Sequence, residues 1–141
     1  MLGVCIATRQ HARMQIVPNL IVFSIEDCLP FYLRLGFKES VRVPHPPDAG
    51  EGAPIGFVIL HAEGCELMLQ STASLALDVA ALQSNAFCAV LYLRVPSLES
   101  LRAALAESLV MPERTTFYGA RELIAKDPAG NTLFFAEHVQ P

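Results

Sequence analysis

Few side chains in this 141-residue chain have the type and spacing that bond-breaking chemistry requires. The histidines, His11, His45, His61 and His138, are scattered, and no two share the separation of metal ligands on one element. They read as surface or turn residues. The cysteines, Cys5, Cys28, Cys65 and Cys88, show no C-x-x-C spacing and sit in apolar surroundings, so they read as reduced, buried thiols of a cytosolic protein. There is no G-x-S-x-G elbow and no Cys–His arrangement for nucleophilic attack. Cys88 reads as a buried small hydrophobe. The side chains left over suit binding rather than reaction. Phe117-Tyr118 is either an aromatic wall that stacks a flat ligand or ordinary core.

These residues need a frame, and the frame is clearest near the C-terminus. Asp127-Pro128-Ala129-Gly130 has turn chemistry: Pro128 presets φ, Gly130 tolerates φ > 0, and Asp127 bonds the backbone ahead of it. Apolar runs flank it, so Ala120–Lys126 and Asn131–Ala136 form a hairpin. The return strand, Thr132 to Ala136, is apolar on both faces, as in a strand that is doubly buried or lines a cavity.

Before it, Ile16–Phe23 reads as a strand. Asp27 is the expected N-cap of a helix, with Pro30 in its first turn and Gly36 just past its end. Phe37–Val43, Ile55–His61 and Glu66–Gln70 read as strands, separated by the loop His45 to Gly52 and the turn Glu63-Gly64. Phe87–Val95 is another strand. Leucines 98, 101, 105 and 109 mark one face of a helix. Met111 to Tyr118 is an irregular segment or a short strand. Each half therefore reads β-α-β-β-β, an internal repeat of roughly 70 residues. The divisions expected are an N-terminal extension (1–14, with Met14 a candidate start), a first module (15–70), a weakly helical linker (71–86) and a second module (87–138).

Composition sets bounds. Hydrophobic content of 52% with 17% charge suffices for a core and excludes disorder. A net charge of −4 argues against nucleic acid, which asks for a basic face. No apolar run approaches the ~20 residues of a membrane span.

Two phrases inside the repeat, Phe31-Tyr32-Leu33-Arg34-Leu35-Gly36-Phe37 after strand one and Asp127-Pro128-Ala129-Gly130-Asn131 before the last strand, resemble the vicinal oxygen chelate superfamily. That superfamily takes in glyoxalase I, extradiol dioxygenases, and fosfomycin- and bleomycin-resistance proteins. Pro18-Asn19-Leu20 and Leu67-Met68-Leu69 make the likeness nearest to bleomycin-resistance proteins. The resemblance implies an α+β fold in which two βαβββ modules form a curved mixed-sheet cup, often closed across a dimer. Its enzymes hold a divalent metal through His, Gln or Glu on the first and last strands of each module. The matching positions here are Val17, Met68, Val90 and Phe134. All are apolar, so no metal and no cofactor are expected.

Side chains alternate faces along a strand. With Met68 and Phe134 facing the cup, so do Asn19, Ile21, Phe23, Glu66, Gln70, Tyr92, Arg94 and Thr132. The opposite set, Leu20, Val22, Leu67, Leu69, Leu91, Leu93, Val95, Leu133 and Phe135, suits packing against helices. Apolar bodies with a few polar groups line small-molecule sites; the competing, less favoured reading is that Met68 and Phe134 fill a collapsed core. Glu66 and Arg94 are either a lining charge pair or solvated strand ends.

The expectation is a metal-free, cytoplasmic binding protein resembling bleomycin-resistance proteins, a homodimer. It would sequester an antibiotic-like cationic or aromatic small molecule through Asn19, Ile21, Glu66, Met68, Tyr92, Arg94, Phe117, Tyr118 and Phe134, with no nucleic-acid or membrane partner. The alternative is a superfamily enzyme of glyoxalase, lyase or dioxygenase type with a displaced metal site, for which Glu66, Glu137 and His138 are the nearby donors.

Overall fold

Face alternation along short β-rich runs, interrupted twice by helix, builds two sheets. The structure is a computed structural model that describes residues 15–82 and 88–138. The first half runs β1 (Asn19–Val22), α1 (Ile25–Arg34), β2 (Lys38–Pro44), β3 (Ile55–Ala62) and β4 (Cys65–Ser71). A helix α2 (Thr72–Asp78) follows, in the span expected as a linker. The second half runs β5 (Val90–Arg94), α3 (Glu99–Leu105), β6 (Arg114–Thr115), β7 (Ala120–Lys126) and β8 (Thr132–His138). The sheets have orders β1-β4-β3-β2 and β5-β8-β7-β6. In each, the first strand lies parallel to the last and the other pairings are antiparallel. The α+β architecture of two βαβββ modules, each with a four-stranded mixed sheet, is the one expected.

Several details depart from the sequence reading, each for a local reason. Ser24, not Asp27, caps α1: its Oγ accepts from the Asp27 N–H at 3.3 Å. Asp27 and Glu26 stand instead in the first turn, where carboxylates meet the positive end of the helix dipole. Pro30 consequently lies beyond the first turn, inside the helix and exposed, and it cannot donate to the carbonyl one turn back. Gly36 follows the helix at φ +101°, with its N–H on Leu33 O, as the sequence predicts. α3 ends at Leu105 rather than Leu109. The chain tightens through Ser108 N–H on Leu105 O so that Leu109 can bridge to Ala125 at the sheet.

The helix-facing set predicted from strand parity is the core. Leu20, Val22, Leu67, Leu69, Leu133 and Phe135 are buried, and Leu91, Leu93 and Val95 pack against them. Each fully buried side chain of this kind contributes roughly 1.5–3 kcal/mol. One cluster spans both halves, with Phe31 and Tyr32 of α1 in it beside Leu101 and Leu105 of α3. Cys28 is buried as expected, but Cys65 and Cys88 are exposed. They stand at a strand end beside the Gly64 turn and just before β5, where no layer covers them. Cys5, His11 and the expected extension lie outside the described residues. No helix of the described residues is long and apolar enough to cross a membrane.

Candidate functional site

On the sheet faces opposite the buried leucine set, strand register places the residues in rows. In the second module, Tyr92 on β5 stands beside Phe134 on β8, which stands beside Ile124 on β7. The next row is Arg94, Ala136, Glu122 and Arg114, across β5, β8, β7 and β6. Tyr92 and Phe134 lie with ring centroids 6.1 Å apart and planes at 29°, an offset stack.

Glu122 is the centre of this face. It is 1% exposed, and every oxygen is occupied. Arg114 donates from Nε to Oε1 at 2.8 Å, and its Nη2 lies 2.8 Å from the same oxygen. Tyr118 donates to Oε2 at 2.9 Å and Tyr92 at 3.2 Å. Burial pushes this carboxyl up, but the hydrogen bonds from Arg114, Tyr118 and Tyr92 outweigh it and hold the group below its ordinary range. Desolvation, then the bond to Glu122, raises the Tyr92 phenol. His138 Nε2 lies 3.2 Å from the Tyr92 hydroxyl. With the Tyr92 proton given to Glu122, the contact is satisfied when Nε2 carries a hydrogen. Arg114 also sits over the Phe134 ring, 5.7 Å from Cζ to centroid.

The first module is plainer. Its rows are Asn19, Met68, Ile59 and Val41, then Ile21, Gln70, Phe57 and Val43. Asn19 Nδ2 donates to Gln70 Oε1 at 2.9 Å. Glu66 stands in a row with His61 and Lys38.

Of the residues expected to bind, Tyr92, Tyr118 and Phe134 thus meet at one place, with Arg94 on the neighbouring row. Phe117 is wholly exposed and packs edge-on against Tyr118, ring centroids 5.1 Å apart. Asn19, Ile21, Glu66 and Met68 belong to the other sheet. Glu66 and Arg94 form no ion pair with each other among the described residues. Sequence reasoning missed Glu122 and Arg114. The chain's only hint was a Glu at an inward parity of β7, in register with Ala136. It also took His138 for a surface residue: it is exposed, yet it touches Tyr92. Glu137, expected as a donor, is engaged elsewhere. It pairs with Arg121 and accepts the Leu98 N–H at the start of α3.

No family model and no curated protein matches the sequence. Solved structures match the fold. A glyoxalase/bleomycin resistance protein/dioxygenase from Nocardioides superposes with TM-score 0.66 at 19% identity, over 91% of this chain and 85% of its own. A protein from Pseudomonas aeruginosa gives 0.67 at 24% identity, over 89% and 98%. A bleomycin-binding protein, solved with bleomycin, gives 0.59 at 20% identity, over 90% and 100%. The chain therefore has the fold of the glyoxalase/bleomycin resistance/dioxygenase superfamily.

The metal centre that this fold implies does not fit the residues present. Met68 and Phe134 hold equivalent places in the two sheets, beside Asn19 and Tyr92. Valine and phenylalanine carry no lone-pair donor, and a thioether suits only soft ions. Among the described residues no three His, Cys, Asp or Glu side chains gather where they could hold a metal ion.

Proposed function

We propose that the chain is a metal-free small-molecule binding protein of the bleomycin-resistance type, which sequesters an aromatic ligand against the Tyr92 face of the second module. The supporting observation is the half-exposed Tyr92 stacked on Phe134, held in place by the buried Glu122. A rigid aromatic platform with oriented polar groups is a way to bind a flat molecule at small entropic cost. Such a site acts by retention alone. The likeness in fold to a bleomycin-binding protein supports the same reading.

The face is open in one chain. Val90 is 68% and Tyr92 46% exposed, and Phe117 is barer still. Apolar surface of this extent is what a partner covers, and a second copy, in a homodimer, is the partner proposed.

The test is a thermal-shift screen of the full chain against bleomycin and other flat aromatic antibiotics, with EDTA present. A ligand at 100 times its Kd adds about 2.7 kcal/mol to native-state stability. We expect at least one aromatic compound to raise Tm, and Phe134→Ala to abolish the rise. A shift that appears only with an added divalent ion, or survives Phe134→Ala unchanged, would refute the reading.

A further inference from the structure

Resting on that reading, the geometry points to the chemistry of the ligand: we propose that it is an aromatic molecule bearing an anionic oxygen group, such as an aryl carboxylate or phenolate, and not a cation. A buried carboxylate beside an aromatic stack would suit a cationic ligand if it were free. Glu122 is not free, because the Arg114 guanidinium and two tyrosine hydroxyls occupy its oxygens. Its charge is neutralised where it stands.

The charge that remains is positive. The row holding Glu122 carries two arginines, Arg94 and Arg114, against its one carboxylate, so one positive charge is left over, with only the small Ala136 between Arg94 and Glu122. Arg94 makes no ion pair or side-chain hydrogen bond among the described residues and is exposed. Arg114 turns its Nε and Nη2 edge to Glu122, which leaves Nη1 free to donate, on a side chain that is 42% exposed. A guanidinium is the group best shaped to grip a carboxylate. Arg114 Cζ lies over the Phe134 ring, 5.7 Å from its centroid, so the guanidinium covers part of that ring's face. A plane stacked on the half-exposed Tyr92 would carry an attached carboxylate toward the Arg114 guanidinium beside it, in the row that also holds Arg94. Glu122 is then a positioning residue, which aims Arg114 and both hydroxyls.

The first module's corresponding face does not reverse this sign. Its charged row holds Lys38 as well as Glu66, with His61 between them, and its central pair, Asn19 and Gln70, is neutral.

The experiment is calorimetric titration of the full chain with three probes of one shape: 2-naphthoate, 2-naphthalenemethanol and 2-naphthylmethylammonium. Naphthoate should bind about tenfold or more tightly than the ammonium, the effect of one or more charge-assisted contacts. Arg94→Gln, at an exposed residue, should cut that preference several-fold without loss of fold. Arg114→Met with Glu122→Gln, which removes both charges together, should cut it further. Equal or tighter binding of the ammonium, or a naphthoate preference untouched in both variants, would overturn the anionic assignment while leaving the aromatic cup standing. Failure of all three probes to bind would overturn both.

Discussion

Tyr32 donates a 2.7 Å hydrogen bond to Oδ2 of Asp127, across 95 residues of chain, and both groups are buried. The bond ties α1 of the first module to the β7–β8 turn of the second. Asp127 Oδ1 meanwhile accepts from the N–H groups of Ala129 and Asn131 at 2.9 and 2.8 Å, closing a turn in which Gly130 takes φ +95°. Asn131 in turn accepts from Ala89 N–H at 2.8 Å, which leads into β5. The two phrases that mark the repeat in sequence therefore touch, and their contact helps set how one sheet sits against the other.

Removing that contact has a predictable cost. Tyr32→Phe deletes a hydrogen bond to a charged, buried acceptor, so it should destabilise the chain by about 1.5–3 kcal/mol. Asp127 retains its other donors, so the fold should survive. Urea denaturation of the two proteins measures the difference, and a change near zero would show that the bond carries little.

High pH should act through α1. Burial first, then Asp127 and Asp27, pushes the Cys28 thiol from its ordinary 9.0 up to about 12. Burial and Asp127 raise the Tyr32 phenol as well. A group whose pKa is raised on folding lends stability below its unfolded value and loses it as pH climbs. Stability should therefore fall between pH 9.0 and about 12, the window of Cys28. The slope should be shallower in Cys28→Ala by up to about 1.4 kcal/mol per pH unit. Unfolding midpoints across an alkaline series read this directly, and parallel slopes would contradict it.

At low pH the controlling group in the cup is Glu122. Its carboxyl is held below the ordinary 4.5, so it lends stability above that value and loses it as pH falls through the folded value. Glu122→Gln should remove part of the acid sensitivity, and it should loosen Tyr92 and Tyr118 together because both hydroxyls end on the same oxygen. Acid titrations followed by near-ultraviolet circular dichroism report both effects. Since the chain has no Trp, the aromatic signal comes from three Tyr and eight Phe. A variant as acid-sensitive as the parent would count against the assignment.

Divalent ions should not bind in the cup. Val17, Met68, Val90 and Phe134 offer no hard donor, so calorimetry with Zn²⁺, Ni²⁺, Mn²⁺ or Fe²⁺ should show no stoichiometric site. A tight one-to-one isotherm abolished by Glu122→Gln or His138→Ala would restore the enzymatic alternative.

The sequence showed the architecture well because its signals are local. Turn chemistry at Asp127–Gly130, the end of α1 at Gly36 and the two-residue alternation of Leu67, Met68 and Leu69 each act within a few positions. It showed the aromatic part of the site for the same reason, since Tyr92 and Phe134 follow from parity. It hid the polar part. Glu122 looks like one more solvated position in Arg121-Glu122-Leu123, and only its partners, Tyr92 30 residues away and Arg114 on the neighbouring strand, make it the buried centre. Ser24 displaced Asp27 as cap because both residues can cap a helix, and local propensity does not choose between them. Cys65 and Cys88 were misread because an apolar sequence neighbourhood does not say which strand ends a layer covers.

Most directly, the aromatic compound that stabilises the chain best should be titrated by calorimetry in EDTA against the parent and against Tyr92→Ala. Saturable one-site binding in the parent, weakened about tenfold or more in the variant as expected for loss of a stacking surface, is the result predicted here. Binding that vanishes in EDTA, or that is equally tight without Tyr92, would contradict a metal-free aromatic cup.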